Sequence, residues 1–293
     1  MAQEVFRDQI IYAMSDSNEA VMTVKSGEKI IFHTEDCFSH EITTSNQCLS
    51  PEFDYSRVNP ATGPVWIEGA DPGDVLKITI ERIELDDQGV VEIYPGWGPL
   101  GDRVKGGNTE IVRVKEKAVF MNLELELRPM IGVIGVAPAD DESIACGIPG
   151  HHGGNLDTIE NTEGSILRLP VFVKGAKLAL GDLHALMGNG EVCGTGVEIR
   201  GKVTLKVELE KGVKLEDPLL ETEDAYYFLA SAENIEEAVK VSVNHAVEFI
   251  SREKAIPFEK AYMLASIACD LQISQVVNPL KTVKMKVPKT ILG

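Results

Sequence analysis

The chain has 293 residues and 31.9 kDa, with 44% hydrophobic and 25% charged residues, an ordinary globular composition that excludes disordered, collagenous and coiled-coil classes. Twenty-eight Lys and Arg against 46 Asp and Glu leave 28 − 46 = −18 and a pI near 4.8. A field of that sign repels polyphosphates and anionic lipid, so no nucleic-acid or membrane partner is expected and a small neutral substrate fits best.

At about 150 residues per domain the length suggests roughly two domains. Met1 to Ile10 lacks the apolar core of a signal peptide, and the longest apolar stretch, Met130 to Ala139, is far short of the ~20 residues that span a bilayer. Five cysteines without a CxxC pair fit a reducing, cytoplasmic compartment.

Through about residue 130 the chain reads as β, an N-terminal domain over 1–130. Glu28–Phe32 predicts a strand, and period-two alternation predicts strands at Val75–Glu81 and Ala118–Leu127, with a turn at Asp71-Pro72-Gly73-Asp74 before the former. Residues 131–212 form a glycine-rich central β region, where tight turns and close backbone approach suit site assembly. Val203, Leu205, Val207 and Leu209 alternate there against Lys202, Thr204, Lys206 and Glu208.

The texture changes over 213–293. Ser231 is the expected cap of a helix with Glu233, Glu236 and Glu237 in its first turns and an apolar face of Ile235, Ala238, Val239, Ala246, Phe249 and Ile250. Pro257 is expected at the first position of a second helix running to about Cys269. Val283, Met285 and Val287 then alternate with Lys284 and Lys286 as a final strand. The fold class is mostly β with a small α+β C-terminal portion.

GxSxG, GxxxxGK[ST] and HExxH motifs are absent, as is the GGSS segment of the Ser–Ser–Lys amidases. Instead, five of six histidines fall in three polar clusters: His33 to Glu41, Gly150 to Asp157 and Gly181 to Thr195. Histidine with carboxylates in glycine-rich loops is what a catalytic divalent-metal site requires. A metal-activated water with a carboxylate to take its proton would be the chemistry. Each residue has a plainer reading too. Asp36 suits a turn, His151-His152 can bond loop backbone, and His184 beside Asp182 can be a satisfied core histidine. Glu191-x-Cys193 could serve thiolate catalysis, but free cysteine is commonly core. Trp97 either lines a pocket or covers core.

Four stretches together resemble the acetamidase/formamidase family. Asn59-Pro60-Ala61-Thr62-Gly63-Pro64 through Glu68-Gly69-Ala70-Asp71-Pro72-Gly73-Asp74 resembles its NPxTGPxxxEGAxPGD segment. His152-Gly153-Gly154-Asn155-Leu156-Asp157 resembles HGGNxD. Gly181-Asp182-Leu183-His184-Ala185 through Gly190-Glu191-Val192-Cys193-Gly194-Thr195 resembles GDxHAxxGxGExxGT, and Asp270 through Ser274-Gln275-Val276-Val277 resembles DxxxSQVV. The resemblance covers about residues 25–290. It implies β-sandwich and barrel-like parts, a homodimer or higher oligomer, and hydrolysis of small amides such as formamide or acetamide to ammonia and a carboxylate. By the same resemblance Asp36, His152, Asn155, Asp157 and His184 form the shell of a divalent metal, zinc first, and Glu191 is the general base toward a metal-bound water. An additional calcium remains open among the 46 acids. His40, in Ser39-His40-Glu41-Ile42, stands where many members have Gly-Gln. Met187 and Asn189 replace a frequent Gln and Asp, and with Trp97 and Cys193 they are the expected substrate-pocket residues. Cyclic-amide hydrolysis and a non-catalytic metal-binding β module are the alternatives.

Overall fold

The computed structural model describes residues 2–50, 54–139 and 141–293. Strands dominate, in one large sheet system and a two-stranded ribbon, and the described residues contain two α-helices, both near the C-terminus. The mostly-β expectation with a short α+β tail therefore holds.

The backbone of the fold is a pair of long antiparallel strands, Val75–Ile93 and Glu198–Glu210, paired from Glu198 opposite Val90 to Glu210 opposite Val75 with register shifts between Ile199 and Gly201 and between Thr204 and Leu205. The strand Lys29–Thr34 pairs along the other edge of Glu198–Glu210. Its burial alternates up to Thr34, after which Glu35 and Asp36 lie outside the strand. Leu178–His184 is buried throughout, because Met130–Gly135 and Ala61–Glu68 pair with it and its end meets Glu198 and Ile199. Val5, Phe32, Ile78, Ile134, Leu180, Val203 and Leu229 belong to one continuous core. Burial on both faces explains the unbroken apolar run Met130–Gly135.

Three local expectations differ. Ala118–Leu127 is a hairpin, Lys117–Phe120 against Leu123–Glu126, turned at Met121 with φ 55°. A two-residue turn preserves alternation, so periodicity alone reads through it. Ser231 lies in the strand Ala225–Ala232, its hydroxyl 2.9 Å from that of Thr282 on Lys281–Pro288. The helix α1, Ile235–Lys254, is capped by Asn234, whose Oδ1 accepts from Glu237 N. Pro257 is the cap rather than the first residue of α2, Phe258–Ala268. Both helices enclose a second small core with Phe228, Ala246, Ile250, Ala261 and Met285.

Candidate active site and metal centre

Asp182 and His184 share a face of the buried strand Leu178–His184, as alternation requires. Cross-strand register sets Glu198 opposite His184, which brings Glu198 Oε2 to 3.1 Å from His184 Nε2, with Asp182 Oδ1 at 3.5 Å. Asp157, just beyond the short strand Gly153–Asn155, places Oδ1 4.0 Å from the same nitrogen. Room for this crowd comes from Gly132. A Cβ there would lie 2.6 Å from Asp182 Oδ2 and 2.7 Å from Asp157 Oδ1. The backbone at Asp157, Asp182 and Glu191 has φ of 41°, 56° and 47°, a conformation that non-glycine residues keep only where surrounding structure enforces it.

That enforcement is visible. Gly190 N donates to Ser274 O at 2.8 Å and Val276 N donates back to Gly190 O, pinning the Glu191 loop to the segment after α2. Gln275 Oε1 accepts from the amides of Val277 and Asn278, both at 2.9 Å. The turn so formed sends Asn278 Nδ2 to Asp157 Oδ2 at 2.7 Å and to Asn155 O at 3.1 Å. The Ser274-Gln275-Val276-Val277 motif thus holds both the Glu191 loop and the Asp157 carboxylate.

Donor atoms of Asp157, His184 and Glu191 lie within 4.8 Å of one another, all buried. Asp157 Oδ1, Asp182 Oδ1, Glu191 Oε2 and Glu198 Oε2 have no hydrogen-bond partner. Buried orphan oxygens are costly, and here they converge on an imidazole, a donor set that fits a divalent cation such as zinc. The electrostatics agree. Burial, with the charge of Asp182, raises the Asp157 carboxyl to about 6. Burial raises Glu198 to about 8 and, with the charge of Asp157, Glu191 well above the usual carboxylate range. Burial alone would lower His184, but Glu198 and Asp182 more than reverse it and hold it well up.

The other expected residues are distributed around this centre. Asp36 is buried, but its Oδ1 accepts from Phe38 N and His40 N, and its Oδ2 lies 3.2 Å from His40 Nδ1. His152 and Asn155 are buried with Nε2 and Oδ1 partnerless, and burial pulls His152 down to about 4. His151 is exposed and instead clamps Asp217 together with His245, each at 2.7 Å. Trp97 lines a cavity of about 620 Å³ with Tyr12, Cys37, Phe38, Ile148 and Asn278. Met187, Asn189 and Cys193 line a smaller one of about 280 Å³ with Glu191. Asn189 Oδ1 also accepts from the buried Lys284 at 2.8 Å. Cys193 Sγ donates locally to Thr195 O at 3.6 Å.

Sequence reasoning did not single out Glu198, Cys37 or Asn278, and it treated Asp182 only as a neighbour of His184. Asp182 and Cys37 sit inside the polar clusters already marked, and Asn278 directly follows the last motif. Glu198 carried no local signal.

The acetamidase/formamidase family profile matches residues 16–143 and 141–293. The chain belongs to this family. It is 45% identical to a predicted acetamidase/formamidase of Thermoanaerobacter tengcongensis, covering 100% of this chain and 97% of that one with TM-score 0.96. An acetamidase of Bacillus halodurans is 43% identical over 98% of this chain and 97% of its own, with TM-score 0.95. A protein named as a formamidase in Schizosaccharomyces pombe is 29% identical over 228 residues, 54% of this chain and 53% of its own. The chain thus spans about half the length of that curated relative.

Proposed function

We propose that this member of the family hydrolyses small neutral amides, formamide or acetamide in kind, to a carboxylate and ammonia. The observation that carries the reading is the buried convergence of Asp157, His184 and Glu191, with partnerless oxygens on both acids. The metal, zinc by its oxygen and nitrogen donors, would be held by Asp157 and His184, and would supply Lewis-acid polarisation of the amide carbonyl and of water. His152 and Asn155, which precede Asp157 in sequence, offer further free donors, and Asp36 holds His40. Glu191 accepts the proton of the attacking water and returns it to the nitrogen as the C–N bond breaks. A carboxylate whose pKa burial has raised suits both halves of that transfer. Trp97 and Phe38 shape the larger cavity, while Met187, Asn189 and Cys193 crowd the approach to Glu191.

The chain is assigned to the cytoplasm by its five unpaired cysteines. A homodimer or higher oligomer is favoured by Phe258, Tyr262, Met263 and Ile267, exposed on α2. The test is ammonia release from formamide, acetamide and propionamide, with ring opening of a γ-lactam run in parallel, before and after chelation. Release that chelation abolishes and zinc restores is expected. A loaded protein inert to every linear amide would overturn the reading, and turnover of the lactam alone would replace it with cyclic-amide hydrolysis.

A further inference from the structure

A second group of donors adjoins the first. Atoms of Cys37, Asp182 and Glu198 also lie within 4.8 Å of one another, and the three residues are 5%, 2% and 2% exposed. They arrive from separate parts of the chain: Cys37 from the turn after Lys29–Thr34, Asp182 from the strand Leu178–His184, Glu198 from the first position of Glu198–Glu210. Asp182 Oδ1 and Glu198 Oε2 are buried and share the single His184 Nε2, at 3.5 and 3.1 Å, without a well-aligned hydrogen bond. One imidazole nitrogen cannot satisfy two buried carboxylates, so the position suits a further ligand of positive charge.

Charge counting points the same way. Asp157, Asp182, Glu191 and Glu198 set four carboxylates around the single imidazole of His184. When all are ionised, one divalent ion leaves −4 + 2 = −2 uncompensated in the interior, whereas a second, displacing the Cys37 proton, leaves −4 − 1 + 4 = −1.

We infer that Cys37, Asp182 and Glu198 hold a second, thiophilic divalent cation beside the one on Asp157 and His184. The sulfur sets the class of ion, since thiolate favours zinc-like metals and disfavours calcium and magnesium. Binding exchanges the Sγ proton for the metal–sulfur bond, and that proton leaves to solvent. Cys37 also lines the cavity of about 620 Å³, so an ion held there would adjoin that cavity. Paired ions of this kind clamp both the attacking and leaving groups of a displacement. The site stands on the donor geometry and does not depend on which amide is cleaved.

The experiment is a cobalt titration of the metal-free full-length protein, following near-ultraviolet thiolate-to-cobalt charge-transfer absorption and counting bound metal by elemental analysis. The wild type is expected to take up about two equivalents, one of them bringing the absorption band. Cys37→Ser, close to isosteric, should lose the band and one equivalent. Glu198→Gln keeps the sulfur and should also fall to one equivalent, which guards against a Cys37 variant that misfolds. Saturation of the wild type at one equivalent, or a band that survives in Cys37→Ser, would overturn the inference. Failure to cleave amides would leave the metal count unchanged, so the two claims fail separately.

Discussion

Glu198 faces His184 across two antiparallel strands with Oε2 3.1 Å from Nε2, and both residues are essentially closed to solvent. The other oxygen of Glu198 accepts from Gly196 N at 2.8 Å. One end of the carboxylate is thus tied to backbone while the other orients the imidazole, a support that fixes a ligand before any metal arrives.

This arrangement gives the metal-free protein a definite pH dependence. The folded Glu198 carboxyl is raised to about 8, above the ordinary value of about 4.3. The folded state therefore binds this proton more tightly than the unfolded chain, and the contribution is lost as pH rises through about 8. His184 and Cys37, both raised, carry the same sign. His152, pulled down to about 4, has the opposite sign, but its effect is confined below about pH 7. Chelated protein should melt at a lower temperature at about pH 9 than at about pH 7, and zinc should shrink that difference. Thermal melts of both forms decide it, and a chelated protein more stable at the higher pH would contradict the account.

Gly132 is where the site is most sensitive to a single methyl group. Gly132→Ala drives a Cβ into the carboxylates of Asp157 and Asp182. The expected cost is about 1–3 kcal/mol of stability, as for other overpacked interiors, together with loss of bound metal. Gly106→Ala, where an added Cβ meets nothing within 4 Å, is the control. Unfolding midpoints and metal content of the two variants should separate cleanly.

Asn278 acts on the centre through Asp157. Asn278→Ala removes the donor to Asp157 Oδ2 and Asn155 O, and a lost outer hydrogen bond to a metal ligand typically weakens affinity about 10–100-fold. Competition against a chromophoric chelator measures this directly. Unchanged affinity would make Asn278 a turn residue and nothing more.

Much of the architecture was legible because periodicity reports burial. Val203 to Leu209 reads as a half-buried strand and is one, and Asp157, His184 and Glu191 stand out as polar residues among glycines. Glu198 did not, since it lies ahead of the alternation that begins at Val203. It meets His184 only through the pairing of Glu198–Glu210 with Leu178–His184, a cross-strand register that period-two reasoning does not contain. Asp36 illustrates the reverse limit. Its sequence context suits a ligand, and the backbone that turns after Thr34 also sets two amides and His40 against its oxygens, contacts that the sequence alone does not contain. Ser231 is the cap expected from sequence, but pairing with Lys281–Pro288 draws it into a strand and Asn234 caps the helix instead.

The central claim is that Glu191 moves the proton at a centre held by Asp157 and His184. The most direct measurement is ammonia release by Glu191→Gln, with bound metal counted on the same sample. Turnover lower by about 10²–10⁴-fold with metal content unchanged is the predicted result. Near-normal turnover would contradict the assignment, and metal lost together with activity would make Glu191 a ligand instead.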